Sequence, residues 1–457
     1  MSTRTDAHGC PISLSPEGDL TAWNACQRAF LAHGADTPRH LQATLDSDPD
    51  FALAHACRGL FGQLLGRRET AAMARDAEAD ARRAARARPV TERERGFLSA
   101  LAAWNAGSPG RAADLLDAQL ARQPGDAMAM KLVQAIRFVL GDARGMRRSI
   151  ETALPGLGED HPAHGYALGC HAFALEETGE YAAAERTGRS ACDYAPDDAW
   201  GLHAVAHVYE MTNDTQAGIA WLAQRPQAWS HCNNFRYHVW WHLALMHLDR
   251  GEIDAVFALY DRDIRAERTD DYRDISNAAS LLSRLELEGH DVGRRWDELA
   301  DICETRTQDG CLAFADLHYL LALLGAGRHG AADRLLARMR CDGETPMSEP
   351  ERILAHPGLT AAEGLRAFAS GEHATAFAHM DAAHSAMATI GGSHAQRDVF
   401  ERIAVEAALR AGRWDAARRM LRSRAALRGG HRDAFARTRM ETVERADRTS
   451  SSVAVHA

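Results

Sequence analysis

A proline that recurs at nearly constant spacing constrains the fold of this chain more than any other feature. The prolines stand 40, 35, 38 and 34 residues apart, at Pro49, Pro89, Pro124, Pro162 and Pro196. Each is followed by an alanine-rich amphipathic stretch, a turn near a glycine, and a second amphipathic stretch. Because the alternation of polar and apolar residues that marks β-strands is almost absent, the pattern predicts tandem pairs of helices.

The clearest unit reads HPAHGYALGCHAFALEETGEYAAAERTGRSACDYAPDD and spans residues 161–198. Its small residues, its turn at Gly179 and its stop at Pro196 lie where a tetratricopeptide repeat requires them. Further units are predicted to begin near Phe51, Glu92, Asp126, Ala199, Tyr237, Arg273 and Ala313, and the last helix pairs lie at 359–371 and 396–425. The sequence therefore predicts an all-α fold, a right-handed superhelical solenoid of tetratricopeptide-like helix pairs.

The predicted domain organisation is a single array over residues 20–443, with a break near 341–357. A polar N-terminal segment covers residues 1–19, and residues 444–457 (ERADRTSSSVAVHA) are typical of a flexible tail.

Composition excludes several classes of function. The net charge of −10 gives no electrostatic support for binding nucleic acid. No apolar run is long enough for a membrane span, and the N-terminus does not resemble a signal peptide. The nine cysteines are scattered without a CxxC pair, which argues against a disulfide framework and a zinc ribbon. We therefore expect a cytoplasmic protein with neither a nucleic-acid nor a membrane partner.

One helical stretch, AWGLHAVAHVYE at residues 199–210, gathers unusual side chains on one face. At 100° per residue, His203, His207 and Glu210 fall within an arc of roughly 60°. In the repeat register set by Pro196 they take positions 5, 9 and 12, and Trp200 takes position 2. These positions face the concave surface of a tetratricopeptide array.

The following unit adds a second histidine pair in the stretch FRYHVWWHLAL. His238 falls at position 2 and Trp241 at position 5, and His242 lies one residue beyond. Because neighbouring helices pack about 8 to 10 Å apart, imidazoles from both units are expected to converge.

Three interpretations of the histidines stay open at this point. Imidazoles with a carboxylate suit a divalent metal such as Zn, Mn or Fe, with His203, His207, Glu210, His238 and His242 as the candidate ligands. The same set serves metal-free acid–base catalysis. A single helical histidine is more often a hydrogen-bonded structural residue, and the tryptophans are equally consistent with an ordinary core.

Four runs carry a family resemblance: DDAWGLHAVAHVYEM, HVWWHLALMHLDRG, DISNAASLLSRLELEG and GGSHAQRDVF. Together they resemble the tetratricopeptide repeat protein 38 family over residues 22–425. The resemblance implies a cytosolic helical-repeat fold and supplies no established reaction.

The last of these runs adds two candidate catalytic residues, His394 and Asp398, four apart on one predicted helix. Ser393 is a plausible N-cap for that helix. If the superhelix curls so that this helix covers the earlier groove, His394 and Asp398 face His203 and His242. Candidate substrate-binding residues are Trp200, Trp241, His171 (with Glu176 and Glu177), Asn277 (with Asp274), His318 (with Asp316) and Gln396.

Two functions from different classes follow. The first is an enzyme that performs hydrolysis or other acid–base chemistry on a small polar substrate in a pocket lined by the histidines and Glu210. The alternative is a non-catalytic scaffold that binds a protein or peptide partner, which is the usual role of such arrays. The arginine-rich stretch 410–448 is interpreted as a solvated helix face.

Overall fold

Helical hairpins account for most of the chain in the computed structural model, which describes residues 4–455 and the side chains of residues 4–448. In the first half the helices are α1 Leu20–Leu31, α2 Thr37–Ser47, α3 Ala52–Leu64, α4 Arg68–Ala87, α5 Glu92–Asn105, α6 Pro109–Arg122, α7 Ala127–Val139, α8 Ala143–Ala153, α9 His164–Glu177, α10 Tyr181–Tyr194, α11 Ala199–Met211 and α12 Thr215–Ala223. In the second half they are α13 Gln227–Ser230, α14 Phe235–Asp249, α15 Ile253–Leu259, α16 Tyr272–Leu287, α17 Arg295–Thr305, α18 Ala313–Gly325, α19 His329–Glu344, α20 Glu349–Ile353, α21 Leu359–Ala369, α22 His373–His384, α23 His394–Arg410, α24 Trp414–Leu427 and α25 Ala434–Val455.

The helices pack as the repeat pattern predicts. Within each pair the second helix lies against the first, and the first helices of successive pairs lie side by side, as α9, α11, α14, α16 and α18 do in turn. Helices α5, α11 and α18 begin at the predicted residues Glu92, Ala199 and Ala313. The prediction of an all-α helical-repeat solenoid is confirmed.

Aspartates fix the starts of several first helices. The Asp126 carboxylate accepts a hydrogen bond from the backbone N–H of Ala129, and Asp198 does the same for Gly201. Because the first N–H groups of a helix have no partner within it, these caps define where α7 and α11 begin. The ladder of first helices that carries the histidines therefore has a fixed register.

The N-terminal segment, the segment 341–357 and the C-terminal tail contain regular structure that the sequence does not predict. Residues Arg4–Thr5 and Pro11–Ile12 form an antiparallel hairpin, and Ile12 is buried. Asp6 in this hairpin makes a buried ion pair of 2.9 Å with Arg93. At the other end, α25 continues to Val455, through most of the predicted tail, and residues 456–457 lie outside the described part. The segment 341–357 contains the end of α19, the short α20 and a π-turn.

The second half of the solenoid folds back onto the first. The backbone N–H of Glu349 donates to the carbonyl of Gly107 at 2.9 Å. The backbone N–H of His394 donates to the carboxylate of Glu177 at 2.8 Å. As a result α23 lies against α11 and α16, and it covers the inner face of the earlier repeats.

Two turn glycines make the closest approach between the halves. Gly141 and Gly391 both have positive φ, +65° and +92°. A Cβ on Gly141 would lie 1.7 Å from the Ala388 carbonyl oxygen, and a Cβ on Gly391 would lie 2.2 Å from that of Val139. Only glycine fits such backbone-to-backbone contact.

None of the described helices combines the length and the apolar character that crossing a bilayer requires.

Candidate metal centre

The two histidine pairs of α11 and α14 meet at a single point. Nε2 of His203 lies 2.9 Å from Nε2 of His207, 2.9 Å from that of His238 and 3.1 Å from that of His242. Nε2 of His242 is in turn 3.2 Å from Nε2 of His238. The convergence expected from the repeat register is therefore present, with four imidazole nitrogens in one cluster.

The cluster is buried rather than exposed in an open groove. His207 and His242 are inaccessible to solvent, and His203 and His238 are 1% and 8% exposed. The sequence predicts a pocket that a small substrate can enter, whereas the four imidazoles are buried in this structure. Aromatic side chains of α9, α11 and α14 surround the rings, and α23 lies against α11.

Aromatic rings enclose His203 and His238. The rings of Trp200 and Phe235 lie 5.1 Å from that of His203, centroid to centroid, and the Phe173 ring stacks on it at 5.6 Å. Trp241, which is fully buried, stacks on His238 at 5.2 Å with an interplanar angle of 18°. Trp200 and Trp241, predicted to bind substrate, are thus walls of the cluster.

Oxygen atoms behind three of the rings fix their orientation. Nδ1 of His242 lies 2.8 Å from the Glu210 carboxylate, and Nδ1 of His238 lies 2.9 Å from the Asn277 amide oxygen. A neutral imidazole has a single N–H, and here it is donated outward from Nδ1. The Nε2 lone pairs of these two rings therefore point into the cluster.

His207 is oriented in a similar way. Its Nδ1 lies 3.3 Å from a carboxylate oxygen of Glu176, which is itself completely buried. The Nδ1 atoms of His203 and His207 both lack a hydrogen-bond partner among the described residues, but that of His207 is within ion-pair distance of a carboxylate and that of His203 is not. Three imidazoles are thus anchored from behind and one is not.

The electrostatics of the cluster favour a single positive charge. Burial, together with the neighbouring imidazoles, lowers the pKa values of His203, His238 and His242 well below the usual range. Burial also lowers the pKa of His207, but the Glu176 carboxylate outweighs it and the net pKa is raised. Burial raises the pKa of Glu210. The pKa directions therefore favour the neutral form of His203, His238 and His242 and the protonated form of His207.

The nitrogens fit a tetrahedral metal ion. With metal–nitrogen distances of about 2.0 to 2.1 Å, the edges of a regular tetrahedron of ligands are about 3.3 Å. Four of the six Nε2–Nε2 distances are 2.9 to 3.2 Å, and all four ligand atoms lie within 4.8 Å of one another. Since a metal-bound histidine normally donates its other N–H to a carboxylate or carbonyl oxygen, the outer hydrogen bonds fit as well.

Glu210 does not lie among the four nitrogens, contrary to its prediction as a ligand. Its carboxylate stands behind His242, on the side away from Nε2. Glu210, at position 12 of the repeat, lies about one helical turn beyond His207 at position 9. Its carboxylate therefore reaches Nδ1 of His242 on α14. Asn277, predicted to bind substrate, has the corresponding place behind His238.

His394 and Asp398 do not belong to the cluster of four imidazoles. The His394 ring nitrogen Nε2 lies 3.0 Å from the carbonyl oxygen of Glu177, next to Glu176. Asp398 accepts hydrogen bonds from Arg402 at 2.6 Å and Arg424 at 2.5 Å. The predicted closure of the late helix over the earlier groove is present, but these two side chains are used in other contacts.

The remaining candidates have structural partners elsewhere. His171 faces Glu151, at 3.7 Å. Nδ1 of His318 lies 2.7 Å from the Phe314 carbonyl, and burial lowers its pKa to about 3. The Gln396 side chain accepts a hydrogen bond from the Ser393 N–H and completes a capping box, so the predicted N-cap at Ser393 is confirmed.

Glu176, which the sequence suggests only as a companion of His171, contacts His207 instead. A signal for it exists in the sequence. Glu176 and Glu210 are 34 residues apart, which is one tetratricopeptide period. Both therefore occupy position 12 of consecutive repeats, and each supports a histidine of the following helix.

Solved structures that resemble this chain are distant in sequence. No protein-family model matches the chain. The TPR domain of P58(IPK) is 14% identical, with coverage of 77% of this chain and 89% of that chain and a TM-score of 0.21. The pentatricopeptide repeat protein PPR10 from maize is 13% identical, with 92% and 70% coverage and a TM-score of 0.25. Naa15/Naa10 bound to HypK-THB gives 14% identity, 94% and 69% coverage and a TM-score of 0.22. The resemblance to the tetratricopeptide repeat protein 38 family stays a prediction.

Proposed function

We propose that this protein is a metalloprotein that holds one divalent transition-metal ion on His203, His207, His238 and His242. The observation that carries the proposal is the convergence of four Nε2 atoms, with outward Nδ1 contacts on three of the rings. Lone pairs that face one another at this distance repel unless a proton or a metal cation lies between them. Metal binding replaces the proton that His207 otherwise attracts.

The donor set narrows the identity of the ion. Four imidazole nitrogens without a directly bound carboxylate suit Zn or Fe better than Mn, which favours oxygen ligands. Four neutral ligands leave the full charge of the ion to be balanced from outside, and Glu176 and Glu210 stand at the backs of two rings to do so. A closed, buried set of four protein ligands is typical of a site that stabilises the fold.

Catalysis at this site is a second proposal, supported by one observation. When bound, the ion supplies a Lewis acid, but a reaction needs an open coordination position. Among the described residues, His203 is the one ligand whose Nδ1 has neither a hydrogen bond nor an ion-pair contact, so it is the ligand best able to leave. Hydrolysis of a small polar substrate would then occur beside Trp200 and Phe235.

The alternative prediction, a scaffold for a protein or peptide partner, requires a different surface. The groove-facing side chains of α11 and α14 are buried within the chain, so a partner could not reach them in this conformation.

Elemental analysis of the purified full chain tests the proposal. We expect about one Zn or Fe ion per chain in the wild type and almost none in His238→Ala and His242→Ala. His318→Ala is the matched control, because it removes an equally buried imidazole outside the cluster, and it should keep the ion. Far-UV circular dichroism of each variant establishes that the helices remain.

The outcome for His203→Ala separates the two proposals. If the ion only stabilises the fold, removing any of the four ligands has a similar effect. If His203 is exchangeable, His203→Ala retains the ion and gains a water ligand, visible in the absorption spectrum of the cobalt-substituted protein. A wild-type chain that takes up neither Zn nor Fe under any loading condition contradicts the metal proposal.

A further inference from the structure

A second group of metal-binding side chains lies behind the ring of His207, on the side away from the four Nε2 atoms. It consists of Nδ1 of His207 and the carboxylates of Glu176 and Glu177. One donor atom from each residue lies within 4.8 Å of the other two. Glu176 and His207 are 0% exposed and Glu177 is 6% exposed. Two carboxylates and an imidazole therefore meet away from bulk solvent.

The Glu176 carboxylate has few partners for a buried charged group. Among the described residues neither of its oxygens has a hydrogen-bond partner. Oε2 lies 3.3 Å from Nδ1 of His207, which is the one basic side chain of residues 4–448 within 4.0 Å. His394 acts on the same carboxylate from farther away. Because buried carboxylates normally accept hydrogen bonds, both oxygens of Glu176 have lone pairs available for a cation.

Glu177 has partners from α23 and still has lone pairs to offer. Its Oε1 accepts the backbone N–H of His394 at 2.8 Å. Its Oε2 lies 3.5 Å from the His394 ring and 3.6 Å from Arg397, both longer than a good hydrogen bond. Since the two oxygens of a carboxylate have about four acceptor sites, Glu177 can bind an ion and still hold α23.

The end of α9 adds to the negative potential at this point. Glu176 and Glu177 are the last two residues of that helix. The C-terminus of a helix carries a partial negative charge, so cations are favourable there and carboxylates are not. Arg397 offsets the charge of Glu177, but no arginine in the described part of the chain lies within 4.0 Å of Glu176. The position therefore favours a bound cation beside Glu176.

The distances between the donor atoms suit one ion. With each donor about 2.1 Å from the ion, two donors are at most about 4.2 Å apart. The 3.3 Å between Oε2 of Glu176 and Nδ1 of His207 is within this limit. A small rotation of the Glu177 side chain brings the third donor inside it. Because carboxylate oxygens are harder ligands than imidazole nitrogens, Mn²⁺ suits this set better than it suits the four Nε2 atoms.

We infer that Glu176, Glu177 and Nδ1 of His207 form a second metal site, which binds Mn²⁺. When the first site is also filled, the His207 ring joins the two ions, with Nε2 on one and Nδ1 on the other. The metal–nitrogen bond then replaces the N–H bond at Nδ1, and the proton leaves to solvent.

The second site is the weaker of the two, because it has three protein ligands and Arg397 lies nearby. The isolated chain therefore retains mainly the ion on the four histidines. The inference does not rest on that first ion, because neither carboxylate nor Nδ1 of His207 is a ligand to it. Without the first ion, a neutral His207 ring can bind Mn²⁺ through the lone pair of Nδ1.

Manganese EPR on the zinc-loaded full chain tests the inference. Mn²⁺ in water gives a sharp spectrum at room temperature, and this spectrum is lost when the ion binds. Titration with MnCl₂ should show one bound Mn²⁺ per chain, and the zinc content of the same samples should not fall. Absence of Mn²⁺ binding, or release of zinc in an equal amount, overturns the inference.

Conservative variants assign the ligands. Glu177→Gln keeps an acceptor for the His394 N–H and loses the charge. Since loss of an outer partner alone usually lowers metal affinity by about 10- to 100-fold, loss of a charged ligand should weaken Mn²⁺ binding at least about 10-fold. Glu176→Gln should have a similar effect. Glu94→Gln is the matched control, because Glu94 is also 0% exposed and lies on α5, outside both sites. Equal Mn²⁺ affinities of Glu177→Gln and Glu94→Gln contradict the assignment.

His238→Ala separates the two sites. This variant breaks the set of four nitrogens and keeps all three ligands of the second site. It should lose zinc and still bind Mn²⁺, and the added change Glu177→Gln should weaken that binding. A wild-type chain that retains no zinc but binds Mn²⁺ through Glu177 contradicts only the four-histidine proposal. A chain that retains zinc and binds no Mn²⁺ contradicts only this inference.

Discussion

The chemical role of a buried histidine in a helix depends on which groups contact its two ring nitrogens. His318 is as buried as the four clustered histidines, but its Nδ1 contacts a carbonyl of its own helix and its ring packs on Phe314 and Phe400. Nothing there gathers further donors, so it is a core residue. His242 has the same burial, but a carboxylate behind it and three nitrogens in front of it.

At the scale of the residue, Glu210→Gln tests how strongly the negative charge behind His242 affects the affinity for the proposed ion. The amide oxygen still accepts the Nδ1–H of His242, and only the charge is lost. Removal of such outer partners usually lowers metal affinity by about 10- to 100-fold, and we expect the lower end, measured by competition with a chelator.

The matched control for this variant is Glu252→Gln. Glu252 contacts Nδ1 of His247 at 2.6 Å, which is the same type of pair outside the cluster. It should leave the metal affinity unchanged. An affinity for Glu210→Gln equal to that of the wild type would show that the carboxylate only holds the ring.

At the scale of the helix, the helix starts and the placement of the histidines were predicted from the position of each residue within the repeat. It gave the starts of α5, α11 and α18 and placed His203 and His207 on the inner face. The four-residue spacing then brought His238 and His242 to the same level on α14. What it could not assign was the partner of each side chain, because Gln396 and Glu210 were free to point at several neighbours until the packing angle between helices was known.

The start of α23 offers a test of whether the predicted N-cap stabilises the helix. The Ser393 side chain accepts a hydrogen bond from the Gln396 N–H in a capping box. Ser393→Ala should lower the free energy of unfolding by about 1 kcal/mol, measured by urea denaturation. Ser190→Ala, in the middle of α10, should change it little. Equal effects would show that the cap does not stabilise the helix.

At the scale of the whole molecule, the return of the second half onto the first decides which residues are accessible. The rotation from one helix pair to the next is small. Summed over many pairs, it determines where the last helices lie relative to the first ones. Because no single residue encodes that sum, the sequence predicted a closed groove only as one possibility. The contact of α23 with α11 and α16, beside the histidine cluster, results from it.

The contact at Gly141 tests the closure. Gly141→Ala adds a Cβ to a residue with positive φ and places it against the Ala388 carbonyl. Gly179→Ala is the matched control: its φ is +85°, but nothing lies within 4 Å of the added Cβ. We expect about 1 to 2 kcal/mol of destabilisation from backbone strain in the control and clearly more in Gly141→Ala.

Thermal and urea unfolding of both variants measure the difference. Gly141→Ala should also make the histidine cluster more accessible, so that a chelator removes a bound ion faster than from Gly179→Ala. Equal stability of the two variants would show that the approach at Gly141 is not needed for closure.

The order of the chain gives the closure a consequence for biosynthesis. All four histidines precede residue 243, whereas the covering helix α23 begins at His394. At ribosomal speeds of about 5 to 20 residues per second, the intervening segment takes roughly 10 to 30 s to emerge. The proposed ion can therefore bind to a nascent chain before α23 is synthesised, and closure of α23 over the array would then slow its release.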